Sequence, residues 1–220
     1  MKILLAKNLE DLEISEISKV LGKKVQVDAK AFIQTEILEI DEEKSEYFSD
    51  YILVFTSPKG VEGFFKQHQI LSEKRPQIWV VGSKTTASVN QYGCAVSHQF
   101  VNSEELAAFY SSTSVTLKLV HYCGDLAPAI FQNNKNYTQK VVYTTQLLYP
   151  QLTEKYHAVV FFSPSGVRSF AKFNFFDDLQ IFAIGETTAK EIKKWTAADV
   201  CVSPKNNMDD LLQLIIHQNL

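Results

Sequence analysis

Apolar residues cluster along the chain in short unbroken runs, and between the runs they recur every three or four positions. "KILLA", "YILVF", "IWVV", "LKLVHY", "KVVYTT", "AVVFF" and "IFAI" are the clearest runs. Continuous apolar runs bounded by turn residues predict strands buried on both faces, and the helical-period segments between them predict covering helices. Alternation of the two predicts α/β architecture with parallel sheets. With "VQV" at 25 to 27 added, about five strands fall in each half of the chain.

The pattern is written twice. "VFTSPKGVEGFF" at 54 to 65 is answered by "VFFSPSGVRSF" at 160 to 170. In the first, a strand runs into Ser57 as helix N-cap and Pro58 as first helical residue, with Val61, Phe64 and Phe65 on one helix face. In the second, Ser163, Pro164, Val167, Phe170 and Ala171 take the same places. A further pair follows, "IWVVGSKTTASVNQYG" at 78 to 93 and "IFAIGETTAKEIKKWT" at 181 to 196. Next come the strands "CAVSHQF" and "DVCVSP", then the acidic helix starts "NSEELAAFY" and "NNMDDLLQLI". Three strand-helix units thus repeat, predicting two domains with a parallel sheet each. If the N-terminal strands complete the second sheet, one domain is discontinuous, from 1 to 34 plus 147 to 220, and the other, from 35 to 146, is inserted. The chain then crosses at "FIQTEILEI" (32 to 40) and "YTTQLLYP" (143 to 150), which could pair as a two-stranded β ladder.

In open α/β sheets, ligands collect at the carboxyl ends of the strands, where helix N-termini offer free N–H groups. Four such corners facing a cleft between domains would suit a ligand with several negative groups, each contact adding roughly 0.3–1 kcal/mol. A Ser-Pro turn is equally an ordinary cap in any α/β protein. Thr85, Thr187 and Thr188 read as caps or as ligand contacts. Lys59, Lys84 and Arg168 read as solvated charges or carboxylate partners.

Composition narrows the chemistry. The net charge is -3, with no basic block, which argues against a nucleic-acid binder. No apolar stretch reaches the roughly 20 residues of a membrane span, and the start, "MKILLAKNLEDLE", turns acidic too early for a signal peptide. A cytoplasmic protein without membrane contact is expected. Cys94, Cys123 and Cys201 are odd in number and lie in apolar runs, so reduced thiols are expected. The five histidines show no metal-ligand spacing, so no metal is expected. Glycine-rich nucleotide fingerprints are absent, and "SPSGV" is not a nucleophile elbow. No obvious catalytic machine remains.

Taken in order, "VFTSPKGVEGFF", "VVGSKTTASVNQYG", "HYCGDLAPAI", "VVYTTQ", "VVFFSPSGVRSF" and "AIGETTAKEIKKW" resemble the uroporphyrinogen-III synthase family along nearly the whole chain. The resemblance implies two α/β domains, one discontinuous, joined by a β ladder, with the active site in the cleft. It implies cyclisation of the linear tetrapyrrole hydroxymethylbilane to uroporphyrinogen III, with ring D inverted through a spiro intermediate and water lost, without cofactor. By this matching Tyr143 falls where the family places a tyrosine that assists departure of the ring A hydroxyl; an aromatic packed on the ladder would look the same in sequence. Ser57, Thr85, Ser163 and Thr188 fall on the family's cleft hydroxyls, and Lys59, Gly124, Ser165 and Thr187 join them as substrate contacts. The loop after "HYCGD" departs from the family: Ala127 and Pro128 stand where many members carry a basic residue, a role Lys59 or Lys84 could take over. Trp195 and Thr196 replace a small residue and Gly.

The resemblance also implies a monomer, with transient contact to hydroxymethylbilane synthase. Two rivals remain in sequence terms: a non-catalytic module of the same fold that binds or senses a tetrapyrrole, and an unrelated two-domain protein that binds a small anion.

Overall fold

The computed structural model describes residues 1–39, 51–68, 76–113, 118–131 and 134–218. In chain order its elements are β1 (Lys2–Ala6), α1 (Asp11–Leu21), β2 (Gln26–Ala29), β3 (Ile33–Ile37), β4 (Tyr51–Phe55), α2 (Pro58–Phe65), β5 (Gln77–Val81) and α3 (Ser83–Gln91). There follow β6 (His98–Phe100), α4 (Ser103–Ser112), β7 (Lys118–Gly124), β8 (Tyr137–Leu147), β9 (Ala158–Phe161), α5 (Pro164–Ala171), β10 (Gln180–Ala183), α6 (Glu186–Ile192), β11 (Val200–Val202) and α7 (Met208–His217). None of the described helices is long and apolar enough to cross a membrane. The chain forms two compact units, Met1–Gln34 with Gln146–Leu220, and Thr35–Thr145.

The discontinuous unit holds a five-stranded sheet in the order β11-β10-β9-β1-β2. Every pairing in it is parallel. Because successive strand side chains point to opposite faces, β1 serves two cores. Leu4 and Ala6 pack with Val167 and Phe170 of α5 and Ala189 and Ile192 of α6. Ile3 and Leu5 pack with Ile17 of α1 and Leu211, Leu212 and Ile215 of α7.

The inserted unit is built alike. Its sheet runs β3-β8-β7-β4-β5-β6, with parallel pairing from β8 to β6. Leu53 and Phe55 face α2 and α3, whereas Ile52 and Val54 face Leu106 and Tyr110 of α4. Full burial of an aliphatic or aromatic side chain contributes about 1.5–3 kcal/mol, so these unbroken runs carry most of the fold's stability. Counting β3, this sheet has six strands, not the five expected. The sixth is the crossing segment itself: Leu38 donates its N–H to Val142 O at 3.0 Å, and Leu148 donates to Phe32 O at 3.0 Å, so β3 and β8 run antiparallel. The boundaries between the units fall inside these strands. Two run ends, Ile40 and Leu117, lie outside the described residues. "CAVSHQF" is strand only in its last three residues, because Gly93 takes φ 71° and turns the chain just before it.

Both Ser-Pro corners form as capped helices. Ser57 Oγ accepts the Gly60 N–H at 3.1 Å and Ser163 Oγ the Gly166 N–H at 3.1 Å, each cap being worth about 1 kcal/mol. The repeat hides a difference in crowding. A Cβ on Gly60 would meet the Tyr122 carbonyl oxygen at 2.6 Å, whereas on Gly166 its nearest neighbour is the Ser163 hydroxyl at 3.3 Å. Gly60→Ala is therefore expected to cost about 1–3 kcal/mol through forced backbone movement. Gly166→Ala is expected to stay within about 0.5 kcal/mol, since gained helix propensity offsets the tight contact. Urea unfolding of the two variants checks this, and equal losses would refute it.

Candidate active site

In each unit the chain order reverses at the strand beside the Ser-Pro corner. In the inserted unit β5 and β6 lie on one side of β4, and β7 and β8 on the other. Such a switch point opens a crevice at the carboxyl ends of the strands, where ligands of α/β sheets bind. Ser57 follows β4 there, and Gly124 ends β7 beside it.

A register shift completes the arrangement. Cys123 pairs with Val141, but Gly124 pairs with Tyr143, an extra residue being taken up on β8. A bulge of this kind re-aims side chains, and here it sets Tyr143 opposite the glycine. A Cβ at Gly124 would lie 2.5 Å from the Tyr143 ring, so only glycine leaves room. The phenol reaches Ser57 Oγ at 3.2 Å. Asp125 fixes the next turn, donating its N–H to Tyr143 O at 3.1 Å and accepting the Thr145 N–H at 2.9 Å. Burial pushes the Tyr143 hydroxyl above its ordinary pKa, the Ser57 hydrogen bond pulls it back in part, and Cys123 and Asp125 add to the upward shift. The phenol is thus protonated at neutral pH and available as a donor.

The other corner lacks a tyrosine partner among the described residues. There Ser163 Oγ lies 3.1 Å from Ser165 Oγ, while Lys59 holds the place of Ser165 in the first corner. Lys59 is bound to Glu62 of its own helix at 2.8 Å, and Glu62 also holds Lys66 at 3.1 Å. Arg168 likewise meets a carboxylate of its own chain, the buried Glu191, at 3.5 Å. Lys84 is exposed on α3.

The threonines do not cap. Gly82 and Gly185 occupy the N-cap positions of α3 and α6, with no side-chain cap. Gly82 has φ 86°, a backbone that excludes most other residues. Thr85 and Thr188 sit at the third helical position and are buried, whereas Thr187 is exposed. The structure thus brings Ser57, Gly124 and Tyr143 together in one unit, and Ser163 with Ser165 in the other.

Sequence reading missed a second buried group at the same sheet edge. His121 of β7 is 1% exposed, with Nε2 at 3.0 Å from Thr56 Oγ1 and Nδ1 at 2.8 Å from the Tyr137 hydroxyl. The one available signal was an imidazole among the apolar residues that follow Lys118 in "LKLVHY". Tyr137 and its neighbour Gln139 also anchor the loop after β7: Ile130 N–H donates to Tyr137 at 3.3 Å, and Gln139 donates to Ala127 O at 2.9 Å. Ala127 and Pro128, which carry no charge, therefore sit on a loop pinned from β8.

A family model described as Uroporphyrinogen-III synthase HemD matches residues 27–213. Comparison with curated protein sequences returns no match. Among solved structures, uroporphyrinogen-III synthetase from Helicobacter pylori is similar with a TM-score of 0.66 and 14% identity, over 99% of each chain. A mutant uroporphyrinogen III synthase from the extremely thermophilic bacterium Thermus thermophilus is similar with a TM-score of 0.68 and 12% identity, over 99% of this chain and 97% of that one. At such identities the structural likeness speaks for the fold, and the family match spans most of the chain.

Burial holds the His121 imidazole down at about 4, whereas in an unfolded chain it titrates near 6.5. Between those values the unfolded state takes up a proton that the folded state refuses, so stability falls as pH drops through this window. Between about pH 7 and pH 4.5 the residue is expected to cost the wild-type chain about 2–3 kcal/mol. Urea titrations of wild type and His121→Gln check this: the variant should lose correspondingly less, and an equal acid loss in both would clear His121 of the effect.

Proposed function

The chain belongs to the uroporphyrinogen-III synthase family, and on that footing we propose that it closes hydroxymethylbilane to uroporphyrinogen III, inverting ring D and releasing water. The family places it as an enzyme of tetrapyrrole biosynthesis; in reaction class it acts as a lyase. The observation that carries the mechanism is the Tyr143 phenol, protonated, bonded to Ser57 and seated against Gly124 at the carboxyl edge of a sheet.

In this reading Tyr143 donates a hydrogen bond to the ring A hydroxyl as it departs. The raised pKa makes complete proton transfer costly, so the phenol lowers the barrier as a donor to developing negative charge. The pyrrole nitrogen supplies the electron pair that expels the hydroxyl, leaving an azafulvenium cation. Ring D attacks that cation through its substituted carbon to form the spiro intermediate. Fragmentation and reclosure then turn ring D round, and the proton released on rearomatisation balances the one carried off with water. No protein nucleophile is required.

The protein's larger task is conformational. Preferring inversion a hundredfold over simple closure needs about 2.7 kcal/mol of differential transition-state binding. The substrate's eight carboxylates give the protein its handles. Ser57, Thr85 and Gly124 serve this in the inserted unit, and Ser163, Ser165, Thr187 and Thr188 in the discontinuous one, with backbone N–H groups of the adjoining helix N-termini. Lys59 contributes by exchanging Glu62 for a substrate carboxylate. We place the enzyme in the cytosol as a monomer receiving substrate from hydroxymethylbilane synthase; the free thiols of Cys94, Cys123 and Cys201 suit a reducing compartment.

The test is an isomer assay on freshly generated hydroxymethylbilane, with products oxidised and the type I and type III porphyrins separated. Type III should prevail; type I alone from folded protein would overturn the reading in favour of tetrapyrrole binding without catalysis. Tyr143→Phe is expected to lower turnover at least tenfold while leaving folding intact, and wild-type turnover would remove Tyr143 from the mechanism. Gly124→Ala should cost activity through the displaced tyrosine ring, and should add little in the Tyr143→Phe background.

A further inference from the structure

The hydrogen bonds around His121 have a direction that can be worked out from their donors. Ile130 N–H donates to the Tyr137 oxygen at 3.3 Å. Burial raises the phenol's pKa, so its proton is retained and needs an acceptor. His121 Nδ1, at 2.8 Å, is the acceptor that the described residues supply. A neutral imidazole that accepts at Nδ1 carries its proton on Nε2. Nε2 therefore donates to Thr56 Oγ1 at 3.0 Å. The Thr56 oxygen is then occupied as acceptor, and its own proton is directed away from His121. The reverse tautomer would leave the Tyr137 oxygen receiving two donors, from His121 and from Ile130, and its own proton without a partner among the described residues.

Thr56 is half-buried and stands between the last residue of β4 and the cap Ser57. Register explains how the three groups meet: Val54 pairs with His121 and Leu119 with Tyr137, so Thr56, His121 and Tyr137 project to one face of the sheet. All three belong to the inserted unit.

We infer that Tyr137 and His121 form a neutral relay that fixes the Thr56 hydroxyl as an outward hydrogen-bond donor for a substrate carboxylate, with His121 as a positioning residue that touches no ligand. A lone threonine hydroxyl can turn either way and so greets donors and acceptors alike. Engaged by the imidazole N–H at one lone pair, it cannot turn its proton back towards His121 and presents that proton to an acceptor, which favours a carboxylate. This compensates in part for the uncharged loop at Ala127 and Pro128, because discrimination is moved from a cation to a hydroxyl of fixed polarity. The inference rests on the proposed tetrapyrrole reading only for the identity of the carboxylate.

Two measurements test it. In long-range 1H–15N correlation spectra of the wild-type protein at neutral pH, His121 should show protonated Nε2 and bare Nδ1; the opposite tautomer would overturn the relay whatever the protein catalyses. The second uses uroporphyrin III, a stable octacarboxylate, titrated by fluorescence. Thr56→Val should weaken its binding about tenfold and Thr56→Ser less than twofold. His121→Leu should weaken it at least threefold in the wild-type background and have no effect beside Thr56→Val. His121→Gln, which retains an acceptor and a donor, should recover affinity to within twofold of wild type. Equal effects of His121→Leu with and without Thr56→Val would reduce the histidine to packing and sink the proposal. Should His121→Leu fail to fold, the tautomer and the Thr56 pair still decide it. A protein that binds uroporphyrin III in this pattern but makes no type III isomer would retain the relay and lose the catalytic reading.

Discussion

The inserted unit is arranged around a volume that a side chain would otherwise fill. Gly124 ends β7 without a Cβ, and the Tyr143 ring occupies that space from the neighbouring strand. For the ring to arrive there, β8 must take up one extra residue, which is why the ladder slips between Cys123 and Gly124. The hydroxyl is held by the cap of α2, Ser57, whose Oγ both accepts the Gly60 N–H and bonds the phenol. Glycine, bulge, tyrosine and cap are thus one mutual constraint, and none of the four reads as special alone.

The two halves show how a duplicated corner diverges without losing its form. Strand, Ser-Pro cap and buried helix face are common to both, because each follows from local propensities that cost nothing to keep. What differs lies in the neighbours. Gly60 is pressed against a backbone carbonyl while Gly166 has room; Ser57 faces a tyrosine while Ser163 faces Ser165. Charge follows the same rule, with Lys59 and Arg168 both engaged by carboxylates of their own units.

How far this was legible depends on the range of the interaction. Buried strands such as Tyr51–Phe55 and the capped helix at Pro58 follow from runs and periods within a dozen residues, and they could be read directly. Gly82 and Gly185, rather than the threonines behind them, hold the N-cap positions, and a glycine cap has no side chain to announce it in a sequence. The strand at His98–Phe100 came out shorter than its apolar run, since a turn at Gly93 takes the preceding residues out of the sheet. Tyr143 could be singled out, yet its bond to Ser57 spans 86 positions and depends on a register slip that no local pattern records. The contacts of His121 with Thr56 and Tyr137, 65 and 16 positions away, are hidden for the same reason.

The place of β1 in its sheet bears on how the protein is made. One neighbour of β1 is β2, but the other is β9, whose first residue, Ala158, pairs with Ile3. During synthesis at about 5–20 residues per second, roughly ten seconds separate the emergence of the first two strands from that of their missing partner. Throughout that interval β1, apolar from Ile3 to Ala6, has one flank unfilled, while the insert completes its own set of strands with β8, before β9 emerges. The vectorial route is therefore inside-out: the middle of the chain can consolidate on the ribosome first, and the ends close last. The nascent chain's exposure to chaperones or to misassociation is concentrated on the open flank of β1, until Ala158 and the residues after it arrive to pair with it.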